Sequence, residues 1–108
     1  MGSLRYGVEW TEDAEGDALG IVGHFDSRIN AEKVITKFER KASGLAVFPM
    51  TGRSVPELQR IGVMKYREVF IGPWRMQYEI RDRMVFIVAV LDGRRDLADV
   101  LFERFVRP

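Results

Sequence analysis

The sequence predicts an α+β fold in which an N-terminal strand and a helical hairpin pack on a mainly antiparallel sheet, in the order βααβββ with a short C-terminal helix. Three observations lead there. Two consecutive stretches in the first half carry apolar residues at helical spacing, whereas the second half holds runs of β-forming residues separated by tight-turn dipeptides. The length of 108 residues, with 46% hydrophobic and 31% charged side chains, suits one unit, residues 1–108, with one core.

Each element has a local justification. Tyr6 to Trp10 alternates large residues with small or charged ones, as a short strand does. Thr11 is placed to cap a helix whose first turn, Glu12-Asp13-Ala14-Glu15, is acidic and so complements the positive end of the helix dipole. Ala14, Ala18, Ile21, Val22 and Phe25 form its apolar stripe, with Glu12, Asp13, Glu15 and Asp17 on or near the wet side and an expected end near Asp26. Ser27 can cap a second helix striped by Val34, Ile35, Phe38 and Ala42, with Lys33, Lys37, Arg40 and Lys41 outside the stripe and Gly44 closing it.

Pro49, Gly52 and Pro56 punctuate residues 45–64, which are expected to be mostly loop with room for one short turn of helix. Lys65 to Ile71 is a strand, and after Gly72-Pro73 the residues Trp74, Met76, Tyr78 and Ile80 alternate with Arg75, Gln77, Glu79 and Arg81. Asp82-Arg83 turns into Met84 to Leu91, whose near-continuous apolar character suggests a central strand covered on both faces. Gly93 breaks it, Asp96 is a plausible cap, and Leu97, Val100, Leu101 and Phe105 give an amphipathic terminal helix.

Composition narrows the function classes. With no cysteine and one histidine, there is no disulfide framework, thiolate metal site or cysteine nucleophile, and no cofactor is expected. No apolar run approaches the roughly 18 to 20 residues that span a bilayer, and the polar N-terminus lacks the apolar core of a signal peptide. No membrane association and a cytoplasmic address are therefore expected, and Met1 to Tyr6 lacks the pattern of a myristoylation signal. Residues 1–52 carry 6 Lys/Arg against 8 Asp/Glu, and residues 53–108 carry 11 against 8. Arginine supplies 13 of the 17 cations, which favours forked contacts to phosphate or carboxylate. Such a surface suits nucleic acid or an acidic protein alike.

Several conspicuous residues have plain structural explanations. Glu68 and Glu79 are strand glutamates flanked by arginines, the usual setting of cross-strand ion pairs rather than of a general base. Trp74 could stack on a base or plug a partner groove, but its apolar alternation with Met76, Tyr78 and Ile80 favours the core; Tyr66 offers the same two readings, the core again favoured, while His24 has the spacing of a surface histidine. Arg94-Arg95 could grip a partner, or be bracketed locally by Asp92 and Asp96.

The chain resembles the RelE/ParE superfamily of type II toxins. The resemblance runs from Trp10-Thr11 through Pro49, Gly52-Arg53 and Pro56-Glu57-Leu58 to Tyr66-Arg67-Glu68, Pro73-Trp74-Arg75 and Tyr78. It ends in Val90-Leu91-Asp92-Gly93-Arg94-Arg95-Asp96-Leu97, which resembles the ParE branch, whose members inhibit DNA gyrase. The alternative is a ribosome-dependent mRNA endonuclease of the RelE type, which needs a base, cations and a leaving-group acid. Arg67 and Arg75 match cations of that set, but Asp96 to Pro108 contains no Tyr, His or Lys to act as the C-terminal acid. The ParE resemblance implies a binding inhibitor without catalytic residues, neutralised in a hetero-oligomer by a cognate ParD-like antitoxin. It leaves direct nucleic-acid binding open, as well as a third reading, a non-toxic binding module. Arg53, Arg67, Arg75, Arg94 and Arg95 are the candidates for contacting target or antitoxin.

Overall fold

The Thr11 hydroxyl accepts the Ala14 N–H at 3.2 Å, and the Ser27 hydroxyl accepts that of Asn30 at the same distance. Each provides an acceptor for an N–H that the first helical turn cannot satisfy itself. These caps start α1 (Glu12–Val22) and α2 (Arg28–Gly44), which follow β1 (Gly7–Trp10). The computed structural model describes residues 5–108; residues 1–4, on which the expectations about a leader and a lipid anchor partly rest, lie outside that range. Further along the described residues come β2 (Arg53–Ser54), α3 (Pro56–Gln59), β3 (Tyr66–Ile71), β4 (Trp74–Arg81), β5 (Met84–Asp92) and α4 (Ala98–Phe105).

The first helix ends at Val22, short of the expected Asp26. Its last turn has no basic residue to face the dipole, and the Gly23 N–H turns back to the Leu19 and Ile21 carbonyls. Phe25 thereby leaves the helix and comes within 6.4 Å of the Trp74 ring. Between residues 45 and 64 the chain forms the expected short helical turn, α3, and also the two-residue strand β2. The last helix has Leu97, not the expected Asp96, at its cap position, and the Asp96 carboxylate accepts the Ala98 N–H at 3.1 Å from one residue before it.

The sheet runs β1-β5-β4-β3-β2, parallel between β1 and β5 and antiparallel elsewhere. Gly72, at φ +55°, and Pro73 join β3 to β4, and Asp82, at φ 54°, opens the turn into β5. The middle strand is thus β4, with β5 beside it. On one face Met76 and Tyr78 of β4 meet Phe38, Ala42 and Ala14 of the helical hairpin. Trp74 packs edge-on against Phe38 at 5.4 Å, the core position expected of it. On the other face α3 and α4 bring Leu58, Leu97 and Leu101 onto Tyr66, whose ring lies 4.7 Å from that of Phe105.

The strands β4 and β5 are out of step by one residue. Gln77 faces Ala89 and Tyr78 faces Ile87, which leaves Val88 unmatched as a bulge. Asp17, expected on the wet side, turns inward instead. Its carboxylate accepts the Val90 N–H at 3.0 Å and holds the Arg104 guanidinium at 2.7 Å, while Arg104 donates to the Val88 carbonyl at 3.1 Å. The backbone groups that the bulge strips from the ladder find partners in this pair.

The loop before β2 is anchored by one phenol. The Tyr78 hydroxyl donates to the Pro49 carbonyl at 2.7 Å and accepts the Gly52 N–H at 2.9 Å. Burial pushes its pKa up, so it stays protonated and able to donate. A Cβ on Gly52 would lie 2.5 Å from that oxygen and 2.7 Å from the Glu68 carbonyl, so a side chain cannot be accommodated there without displacing the loop. Tyr78→Phe leaves a carbonyl and an N–H unpartnered and is expected to destabilise the fold by about 1–3 kcal/mol. Urea denaturation checks this through a lowered midpoint at unchanged slope.

Candidate functional site: an arginine-bearing end of the sheet

Strand register gathers the arginines. Phe70, Arg75 and Leu91 stand in one row across β3, β4 and β5, and Arg53 faces Glu68 two rows from it, on the side away from the Gly72-Pro73 turn. Arg75 points to the α3 side, where it is only 6% exposed. Its Nη1 and Nη2 grip both oxygens of Glu57 at 2.8 and 2.7 Å, and its Nε and Nη2 reach Glu68 at 2.9 and 3.1 Å. Of the five candidate arginines, Arg75 is the most enclosed: four of its N–H hydrogen bonds are made inside the fold, and almost none of its surface faces solvent.

Glu68 is buried to 1% exposure and accepts four hydrogen bonds, two from Arg75, one from Arg53 at 2.8 Å and one from Gln77 at 3.0 Å. That is about the full capacity of a carboxylate. The cross-strand ion pair expected of Glu68 is therefore present, and α3 adds a second carboxylate to it. Gln77 keeps one unmet demand, since its buried Oε1 has no hydrogen-bond partner among the described residues.

The other candidates are placed differently. Arg53 is half-exposed, bound to Glu68 on one side and stacked over the Phe70 ring at 4.8 Å. Arg67 lies on the opposite face of β3 and donates to the Gly52 carbonyl at 2.6 Å, supporting the loop that Tyr78 anchors. Arg94 is clamped to Asp92 at 3.0 and 2.9 Å, and these contacts hold the Asp92 carboxyl down at about 2. Arg95 is exposed, and its side chain makes no ion pair among the described residues. The two readings of Arg94-Arg95 therefore divide between them, the first bracketed and the second free.

Chemically, this end of the sheet sets arginines against carboxylates that they already engage. Glu57 is held at about 2, chiefly by the hydrogen bond from Arg75, against an ordinary 4.5. Tyr66, whose ring stacks on Phe105, is buried beneath α4. Sequence reading had no signal for the Glu57 contact, because its partner lies 18 residues away with a turn of helix and a strand between them.

Arg75→Met leaves two carboxylates facing one another in a buried setting and is expected to cost about 3–5 kcal/mol, part of which Glu68→Gln should restore. Chemical denaturation of the single and double variants measures both effects. The sign of the acid response follows from Glu57: its native pKa lies below the unfolded value, so its contribution is present above about 4.5 and is lost as pH falls towards about 2. Stability measured across that window should fall, and Glu57→Gln should flatten the fall.

The family described as "ParE toxin of type II toxin-antitoxin system, parDE" matches residues 8–97, from β1 to the start of the last helix. A chain of the solved structure "Chromosomal ParDE TA system from P. aeruginosa" aligns at a TM-score of 0.66 and 17% identity, over 82% of this chain and 96% of that one. At that identity the likeness speaks for a shared fold. No curated protein matches the chain. The family match covers the helical hairpin, the arginine-bearing sheet and the Asp92–Leu97 corner, and the chain accordingly belongs to the ParE toxin family of type II toxin–antitoxin systems.

Proposed function

We propose that this toxin inhibits DNA gyrase by binding, and that a cognate ParD-like antitoxin silences it in a cytoplasmic hetero-oligomer. The observation that carries the binding reading is the state of the two carboxylates beside the arginines. Glu57 and Glu68 are both bridged by Arg75, so neither is free to take a proton from a ribose hydroxyl. Guanidinium groups stay protonated at any working pH and can only stabilise charge. An inhibitor that arrests an enzyme at one step needs no proton transfer, only higher affinity for that state than for the others.

Arg95 supplies a contact suited to that role. It stands at the strand-to-helix corner, which the Arg94–Asp92 clamp and the hydrogen bond from Ala98 N–H to Asp96 hold in place. Its fork is exposed to meet an acidic side chain or a phosphate. The antitoxin reading is supported by family membership and by the fold shared with a chain of the P. aeruginosa ParDE system. A disordered acidic segment could wrap the same cationic end, its apolar side chains providing affinity and its carboxylates register.

Purified protein added to gyrase and relaxed plasmid should block supercoiling or accumulate linear DNA. Arg95→Glu should weaken that effect about ten-fold or more, the scale of one charge-assisted contact, with an unchanged circular-dichroism melt. Complete supercoiling at an excess of folded protein would sink the gyrase assignment. New message ends at the ribosomal A site after induction would favour the endonuclease instead.

A further inference from the structure

Helix α2 carries a cationic flank that the gyrase reading does not use. Lys33, Lys37, Arg40 and Lys41 fall within an arc of about 100° on the helix surface, beside the apolar stripe of Val34, Phe38 and Ala42. All four are exposed. None takes part in an ion pair among the described residues, whereas Arg53, Arg75, Arg81, Arg94, Arg104 and Arg107 all do.

Two adjoining open clefts extend this flank towards the edge of the sheet. One, of about 210 Å³, is lined by Arg40, Lys41, Phe48 and Thr51 among others, and the second, of about 320 Å³, by Lys41, Thr51, Arg53 and Phe70. They share Lys41, Thr51 and Val69 and so form one continuous track. Two phenyl rings stand open along it, Phe48 at 69% and Phe70 at 48% exposure, the latter carrying the Arg53 guanidinium on one face. Glu68 borders the second cleft, but its charge is already met by Arg53 and Arg75.

We propose that this track, from the α2 cations across Lys41 to Phe48 and Phe70, binds single-stranded DNA. Cations for phosphates interleaved with exposed rings for bases are what a single strand needs, and each ring can take any base because every base has a π-face. A peptide of acidic side chains alone would use the cations and leave the rings without a role; one that also carries apolar side chains would cover the rings without stacking on them. A duplex would use the cations too, but its stacked bases are closed to the rings. The choice of DNA over RNA rests on the gyrase reading; among the residues lining the two clefts, the side-chain acceptor not already engaged is the Thr51 hydroxyl, which gives little purchase on a 2′-hydroxyl.

The test is fluorescence anisotropy of a labelled oligo-dT of about 12 nucleotides with the full chain. About three phosphate contacts give binding that weakens about twenty-fold between about 50 and 200 mM salt. Lys37→Glu with Lys41→Glu should lower affinity at least ten-fold and flatten the salt slope. Phe48→Ala should weaken oligo-dT but not a duplex of equal length. Both variants change exposed side chains, and a circular-dichroism melt verifies that they fold. No oligo-dT binding by folded protein at about 50 mM salt overturns the proposal. So does a ten-fold preference for oligo-U, or displacement by oligo-glutamate at equal concentration with no effect of Phe48→Ala. Gyrase inhibition without oligo-dT binding removes the DNA track alone. Oligo-dT binding while supercoiling proceeds keeps the track and removes the gyrase reading.

Discussion

The arginine-bearing end of the sheet depends on one buried contact, the guanidinium of Arg75 between the carboxylates of Glu68 and Glu57. Charges in a low-dielectric setting persist only when each is matched, and here a single cation matches two anions, with Arg53 sharing the nearer one at the rim. The contact ties three elements together. It fixes β3 to β4 through neighbouring strands, and it draws α3 down over the sheet through Glu57. With α3 in place, Leu58 and Val55 close the second core against Tyr66, Leu97 and Leu101. The position of α4, and the corner that presents Arg95, follow from that core.

Much of this was legible wherever the cause was local. The caps at Thr11 and Ser27 were readable because a hydroxyl meets an N–H three residues on. The β3–β4 turn was readable because Gly72-Pro73 has few other uses between two β-rich runs. The branch within the toxin superfamily was readable from the Leu91–Leu97 ending, and the family match covers that segment. What escaped was long-range. The alternation of β4 gave its facing correctly, but not that Arg75, Gln77 and Glu79 would be buried, since burial depends on α3 and α4 arriving from elsewhere in the chain. Asp17 looked like one more solvated acid of α1, because the bulge it serves is 73 residues away.

Charge in the helical hairpin is sorted by face. The first helix is acidic and carries no lysine or arginine, whereas the second gathers its lysines on one flank and leaves Glu32 and Glu39 on the other. Glu15 and Glu39 border an apolar cleft of about 320 Å³ between the helices, away from the lysines. A net charge of +1 thus conceals two strong local fields of opposite sign. Salt dependence at one face says little about the other.

The Val88 bulge joins parts of the chain that the sequence keeps far apart. Asp17 on α1 and Arg104 on α4 meet over it, and each also holds one of its backbone groups. If α4 lifts, Asp17 loses its counter-ion and the Val88 carbonyl its donor at the same moment. If α1 frays, the Val90 amide and Arg104 are released together. Local opening at the two ends of the chain is therefore one event rather than two, and hydrogen exchange at Val90 reports on both Asp17 of α1 and Arg104 of α4 as a single cooperative unit.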